Sequence, residues 1–375
     1  MTEKTDILVI GGGITGQSAA LAAADAGARV TIVDAARNAG STANAGSLHV
    51  QMQSRFLRLN PHLADNLESS LPLYVRAVTA WEELDQRLGG VELVRQGGLM
   101  LAETAEQAAF LEQKAEREIR KGLDVEILDR DALFRHAPYL SERFVAAELC
   151  HNEGKLNPLV ANRKMTAELD RLGVSRHVDR IVQIGEENGK AVAQGAERFV
   201  ADRIIIAAAW GSGELARPLG LTIPTPGEPL HMNITEPAEY VIHHLIQHAE
   251  RSITLKQFAS GQVVIGGGWP ATLDRDDALP AIKPQSLTGN VALAGEIVPA
   301  VVGLRLLRTW AGVNTPVDGK ATLGPIKAGG LIHFALPGDA GYTLGPIVGR
   351  CAAASAMGTT PPMDIAPFTP DRFAA

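Results

Sequence analysis

Gly11, Gly13 and Gly16 are spaced for phosphate chemistry. They lie in the run Gly11-Gly-Gly-Ile-Thr-Gly16, directly after the apolar stretch Ile7-Leu-Val-Ile10. Gly11 permits a tight turn, Gly13 lets the backbone approach a pyrophosphate, and Gly16 lets a helix pack closely on a strand. The alanine-rich stretch from Gln17 to Ala26 is helix-forming and Gly27 ends it. Arg29-Val-Thr-Ile-Val-Asp34 then reads as a second strand that finishes on an acid. A pyrophosphate at the helix N-terminus and a ribose diol on Asp34 are the groups this spacing receives. Strand, helix, strand and acid agree within about thirty residues, so the unit binds a dinucleotide. The glycines alone do not separate FAD from NAD.

The segment after Asp34 discriminates further. Ala39-Gly-Ser-Thr-Ala-Asn-Ala-Gly46 is small and polar, with no apolar period. An NAD-binding domain would continue here with another strand and helix. A loop of this composition offers amides and hydroxyls to a phosphate or to the edge of an isoalloxazine; the plainer alternative is a solvent loop.

The elements around this unit follow from pattern. Residues from Leu63 to Leu88 carry apolar positions at helical spacing with Pro72 inside, which predicts two helices or a kinked one. Glu106 to Lys121 reads as a charged helix with a solvated face, and Pro158 to Leu172 as a helix capped by Asn157. Arg180-Ile-Val-Gln-Ile184 and Lys190-Ala-Val-Ala193 flank Glu187-Asn-Gly189, a hairpin signal, so 178–209 forms a small β insertion leading into a core strand. Thr222 to Pro229 is a proline-rich crossing. Val241 to Gly268 reads as strands of a second sheet, Gln285 to Leu307 as a helix broken at Pro299, and Gly345 to Met357 as a final helix. The expected fold class is α/β with an α+β second part. A Rossmann-like dinucleotide domain over 1–75, 140–221 and 315–375 is interleaved with a mixed-sheet substrate or cap domain over 76–139 and 222–314.

Composition narrows the function classes. The chain has 375 residues, with 35 Lys plus Arg against 42 Asp plus Glu, a net charge of −7. That balance argues against a protein built to bind nucleic acid or an anionic membrane. The cysteines are Cys150 and Cys351. They are too few for an iron–sulfur cluster or a disulfide framework, and they point to the reducing cytoplasm. The start has no cationic n-region, and the longest apolar run, near Ile204 to Trp210, is far below the ~20 residues that span a bilayer. His243, His244 and His248 include an i, i+4 pair, but no glutamate completes a metalloprotease motif, so no metal site is expected.

Taken with these motifs, further stretches carry a resemblance. The chain resembles the D-amino-acid oxidase, glycine oxidase and sarcosine oxidase superfamily of FAD oxidoreductases. The resemblance rests on the glycine motif, Asp34, Thr42-Ala-Asn-Ala-Gly-Ser47, and Phe199 to Trp210. It also rests on Trp310-Ala-Gly312, Asp318-Gly319 and Gly341-Tyr-Thr-Leu-Gly-Pro346. Asp34 is a departure, since these flavoproteins more often carry glutamate there. Ser47 to Arg55, Ser70 to Tyr74, Gly97 to Met100 and Asn152 to Pro158 narrow the match. They resemble the flavin β (B) subunits of heteromeric opine (octopine and nopaline) and D-hydroxyproline dehydrogenases.

The resemblance implies a glycine oxidase-like fold and an FAD held along the chain. The contacts would come from Gly11, Gly13, Ile14, Thr15, Gly16, Asp34 and Ala35. Ser41, Thr42, Asn44, Ala45, Gly46, Ser47 and Leu48 would follow, then Ile181, Ala208 and Trp210, and finally Gly338, Gly341, Tyr342, Thr343 and Leu344. It implies oxidation of the CH–NH bond of a carboxylated secondary amine, an opine or an imino or amino acid, by hydride transfer to the flavin. The imine then hydrolyses to an oxo acid and an amine. It also implies partner subunits with an electron relay, with FMN possible at their interface. The competing readings are a stand-alone amino-acid oxidase using oxygen and an FAD-holding assembly subunit without catalysis.

Glycine oxidase-like enzymes carry an arginine where this chain has Asn314, and a basic residue or histidine where it has Asp339. The usual carboxylate anchor is therefore missing, and an arginine fork is the natural replacement. Arg308 before Trp310 and His49 with Arg55 beyond the flavin loop are the candidates, with Asp339 suited to a cationic substrate group. His49, Arg308 and Asp339 are the expected substrate-positioning residues, and Lys256 reads as a solvated strand residue.

Overall fold

The computed structural model describes residues 4–37, 39–274 and 279–374. Met1 to Glu3, part of the stretch read for a targeting signal, lie outside them. The chain opens with β1 (Thr5–Ile10), α1 (Ile14–Asp25), β2 (Val30–Asp34) and the short β3 (Ser47–Leu48). It continues through α2 (Ser54–Leu59), α3 (Ala64–Arg87), β4 (Gly98–Ala102), α4 (Ala105–Arg120), β5 (Val125–Asp129) and α5 (Arg130–His136). Then come β6 (Ala146–Cys150), β7 (Gly154–Lys155), α6 (Pro158–Arg171), β8 (Ser175–Val178), β9 (Gln183–Glu187), β10 (Lys190–Gln194) and β11 (Arg198–Ile206). After α7 (Ser212–Ala216) follow β12 (Glu228–Pro237), β13 (Leu245–His248), β14 (Thr254–Gln257), β15 (Gln262–Gly266) and α8 (Pro284–Ile297). The chain ends with β16 (Leu306–Asn314), β17 (Thr322–Pro325), β18 (Ile332–Leu336) and α9 (Gly341–Met357).

Two mixed sheets organise these elements. The first runs β17-β18-β11-β1-β2-β8, with β10 and β9 added as a hairpin on β11. β18, β11, β1, β2 and β8 are parallel, as their continuous apolar runs demand: Leu8, Val9, Ile204, Ile205 and Ile206 are fully buried. The second runs β16-β12-β15-β14-β13-β4-β6-β5, antiparallel except for β13 on β4. Its strands come from 98–150 and 228–314, between segments that feed the first sheet. β6 belongs to this second sheet, although the expected boundary at 140 put it with the nucleotide domain. Ala146–Cys150 pairs with β4 on one side and β5 on the other.

Four local expectations are sharpened or changed. Of the two alternatives for Leu63 to Leu88, two helices or a kinked one, the chain forms one helix, α3, with Pro72 inside it. A proline inside a helix costs about 3 kcal/mol. Here Leu67, Leu71, Tyr74, Val78, Trp81 and Leu84 all bury on one face and offset it. The final helix starts at Gly341 instead of Gly345, with Pro346 inside it. That proline cannot donate to the carbonyl of Tyr342; the indole N–H of Trp81 does so instead, at 3.2 Å, and also reaches Thr343 O at 3.1 Å. From Pro299 the chain makes one 3-10 turn (Pro299–Val301) and then enters β16 instead of resuming the α-helix. The helix α4 is not simply solvated: Lys114 and Glu118 on its inner face are buried. No helix among the described residues is long and apolar enough to cross a membrane.

Candidate active site

The carboxyl ends of β1, β2, β11 and β18 face the second sheet across one cleft of ≈ 1170 Å³. That exceeds the ~1,000 Å³ upper range for a drug-sized ligand and suits a dinucleotide with a small substrate. The cleft lies at the strand ends, where ligands bind in open α/β sheets.

Its nucleotide end is built from α1. This helix starts at Ile14, its N-cap Gly13 has no side chain to cap it, and no acidic residue lies in its first turn, so its positive end is available to an anion. Gly11 has φ +108°, and a Cβ there would lie 2.2 Å from Ala207 O, so only glycine fits the turn. Asp34 Oδ2 accepts from Gly12 N at 2.6 Å, and Oδ1 from Ala36 N at 2.7 Å, which fixes the carboxylate at the cleft wall. Ser41 Oγ accepts from Ile14 N at 2.9 Å and draws the polar loop over the helix start. Gln17 Oε1, on a cleft-lining residue, is buried without a partner. A glycine-lined helix start without an acidic residue, a fixed acid and an orphaned polar atom fit FAD.

The structure gathers most of the expected cofactor residues. Gly11, Gly13, Ile14, Thr15, Asp34, Ala35, Ser41, Thr42, Asn44, Ala45 and Ser47 line the cleft. Ile181, Ala208, Trp210, Gly338, Gly341, Tyr342 and Thr343 do so as well. Gly16, Gly46, Leu48 and Leu344 do not. Gly16 faces the backbone of Gly11, Gly46 that of Leu156, and Leu48 and Leu344 are buried behind the wall. A relay holds the polar loop: Tyr342 stacks on Trp81 at 5.2 Å, its hydroxyl donates to Asn162 Oδ1, and Asn162 Nδ2 donates to Ser41 O at 2.9 Å. The second sheet reaches the same loop, with Trp310 Nε1 donating to Ala43 O at 2.8 Å.

At the other end stand the charged residues. Arg55, Glu228, Asn314 and Asp339 all line the cleft. Arg55 Nη2 lies 3.3 Å from Glu228 Oε1. Asn314 Nδ2 donates to Asp339 Oδ1 at 2.6 Å and to Glu228 Oε2 at 3.3 Å. Burial pushes the Asp339 carboxyl above its usual value and Glu228 adds to this, against the Asn314 bond and Arg55. His49 also lines the cleft, and burial with Lys256 nearby lowers its imidazole to about 3. Arg308 does not join them. It is exposed on β16, with its guanidinium over the Trp310 ring at 6.0 Å, and it does not line the cleft.

Sequence reading missed two of these residues. Glu228 lay hidden at the end of the proline-rich crossing. Lys256 was assigned to solvent, yet it is 1% exposed, lines the cleft and donates to Ser47 Oγ at 2.8 Å. Burial, and Lys155 behind it, push its ammonium down to about 7. The alternation Thr254-Leu-Lys-Gln257 signals a two-faced strand. Both cysteines are buried and neither lines the cleft. Among the described residues no group of three or more His, Cys, Asp or Glu could hold a metal ion.

A parallel-stranded sheet whose first glycine turn opens into a cleft roofed by a mixed sheet defines a flavoprotein fold. The chain belongs to the FAD dependent oxidoreductase (DAO) family, whose model matches residues 6–355. It is an FAD-dependent oxidoreductase. It is 31% identical to gamma-glutamylputrescine oxidoreductase of Escherichia coli K12 over 159 residues, which are 41% of this chain and 37% of that one. It is 23% identical to D-amino acid dehydrogenase of Xanthobacter autotrophicus over 98% of this chain and 99% of that one. Among solved structures, glycine oxidase from Geobacillus kaustophilus superposes with a TM-score of 0.84 over 98% of each chain, at 19% identity.

Proposed function

We propose that the chain oxidises a carboxylated secondary amine, an opine or an imino or amino acid, as the flavin subunit of a dehydrogenase complex. The observation that carries the substrate class is the Arg55–Glu228–Asn314–Asp339 cluster in the cleft. When bound, FAD supplies the acceptor for the hydride on the carbon next to nitrogen. The chain's own residues bind and orient. Arg55 offers a fork to a substrate carboxylate, which would compete with Glu228 for the guanidinium. Displaced from Arg55, Glu228 is left beside Asp339, and two carboxylates sharing one amide attract a cation. A substrate with both a carboxylate and a second cationic group satisfies both halves. The names of the two curated relatives, one for γ-glutamylputrescine and one for D-amino acids, support a nitrogen-bearing substrate.

The subunit role is supported by the stretches at 47–55, 70–74, 97–100 and 152–158, which resemble flavin subunits of opine and hydroxyproline dehydrogenases. In this reading partner chains take the electrons, with an FMN at the interface, in the cytoplasm. The test is anaerobic flavin bleaching by paired substrates, with and without a side-chain cation. Arg55→Ala should raise KM for both about 30-fold, as loss of a charge-assisted hydrogen bond would. Asp339→Asn should weaken only the cationic member. Equal effects of Asp339→Asn on both would overturn the assignment of the acidic pair.

A further inference from the structure

Glu153 lies in the turn between β6 and β7, outside the cleft lining, and is fully buried. Its carboxylate gathers four N–H donors. Oε1 accepts from the backbone of Val50 at 2.8 Å and Gln51 at 3.2 Å; Oε2 accepts from Gln51 Nε2 at 2.9 Å and Gln247 Nε2 at 2.8 Å. Four donors occupy the full acceptor capacity of an ionised carboxylate, and a protonated oxygen would face one of them with its own hydrogen. The opposing strand makes room for it: a Cβ on Gly98 would lie 1.8 Å from Oε2. Burial raises this carboxyl to about 7, while the Gln51 and Val50 bonds and Lys114 hold it down.

The two backbone amides it holds directly follow His49. Glu153 Oε1 lies 4.0 Å from His49 Nδ1, which is enclosed and has no hydrogen-bond partner. His49 lines the cleft with its side chain 22% exposed, and Nδ1 is the enclosed nitrogen, so Nε2 is the nitrogen a substrate can meet. The charged groups around the pair are Lys256 on β14 and Lys114 on α4, with Cys150 on β6. Lys256 and burial keep the imidazole neutral. A neutral ring carries one N–H, and its position is decided by the neighbours of each nitrogen. A lone pair at Nδ1 would point at a carboxylate; an N–H there is attracted to it.

We propose that Glu153 is a positioning residue for this reaction. It fixes the Nδ1–H tautomer of His49, so that Nε2 presents its lone pair to the N–H of the substrate amine. This rests on the reading that the cleft receives a carboxylated amine. The bond orients the amine nitrogen, and with it the adjacent C–H, while Arg55 holds the carboxylate.

Nitrogen-15 histidine spectra of the substrate-free, FAD-loaded protein test the tautomer alone. The His49 signal, assigned by its loss in His49→Asn, should show a neutral ring protonated at Nδ1. A ring protonated at Nε2, or on both nitrogens near neutral pH, would overturn the proposal whatever the substrate proves to be. Glu153→Gln keeps the shape and removes the charge. It should shift the ring towards Nε2–H and raise KM for a carboxylated amine about tenfold, the worth of one hydrogen bond. The inhibition constant of the oxygen isostere, which has no N–H to donate, should not change. An unchanged tautomer in folded Glu153→Gln, or equal weakening of amine and isostere, would reduce Glu153 to a packing role. Should the amine fail to bind to wild type while the Nδ1–H tautomer is seen, the substrate reading fails and the positioning of His49 stands.

Discussion

Lys256 bears a cost that its position imposes. Its ammonium is buried against Ser47 and falls to about 7, whereas an unfolded lysine holds its proton to its ordinary value of 10.5. Between those two values the unfolded chain binds more protons than the folded one, so stability rises with pH across that window. Below about 7 both states are protonated, and the folded state carries the whole penalty. Lys155, lowered to about 8, acts in the same direction over a narrower range. Lys256→Met should therefore be more stable than wild type at neutral pH and show a shallower rise towards pH 10, as read by urea denaturation at several pH values. A steeper rise in the variant would contradict the burial of that charge. The glycine turn, Asp34 and the polar loop were legible in the sequence because a local spacing encodes them. Glu153 was not, since the amides it holds lie about a hundred residues earlier (Glu153 to Val50, a separation of 103). Lys256 was half legible: alternation shows that a strand has two faces, but not that the polar face looks into a cleft.

The contact between α3 and α9 shows how elements share a defect. Pro346 leaves Tyr342 O without a helical donor, and Trp81, wholly buried on α3, supplies the N–H. The same tryptophan stacks on Tyr342, which leads through Asn162 to Ser41. Trp81→Phe keeps most of the apolar area but orphans a buried carbonyl, a loss of about 1–3 kcal/mol. Urea denaturation of the holoprotein should show that loss, and FAD should dissociate faster as the Ser41 loop loosens. Unchanged stability would mean that water reaches Tyr342 O. The helical period of α3 and α9 was readable, but their limits were not. Pro72 was read as a break or a kink in α3, and α9 begins four residues before the expected Gly345; in both, tertiary partners accommodate the proline. The helix α4 repeats the lesson. Its charges suggested solvent, yet Lys114 sits between Glu118 at 2.9 Å and Glu148 at 2.8 Å, both buried. A charge run shows its partners only once distant strands are in place.

The two sheets divide the work of the whole chain. The parallel sheet offers the α1 terminus and Asp34, and the mixed sheet closes over them with Lys256, Glu228 and Asn314. The return of apolar strands late in the chain pointed to the first sheet, where β17 and β18 pair, whereas the sheet that β6 joins was not readable because five residues carry no mark of it. The proposed oxidation of a carboxylated secondary amine by FAD held in this cleft is tested most directly by anaerobic titration of the purified holoprotein with opines, proline, D-hydroxyproline, sarcosine and D-amino acids. The yellow flavin absorbance should bleach with a carboxylated secondary amine and return on addition of an electron-accepting dye. A colourless chain that takes up no added FAD, or a flavin that no amine in the panel bleaches, would contradict it.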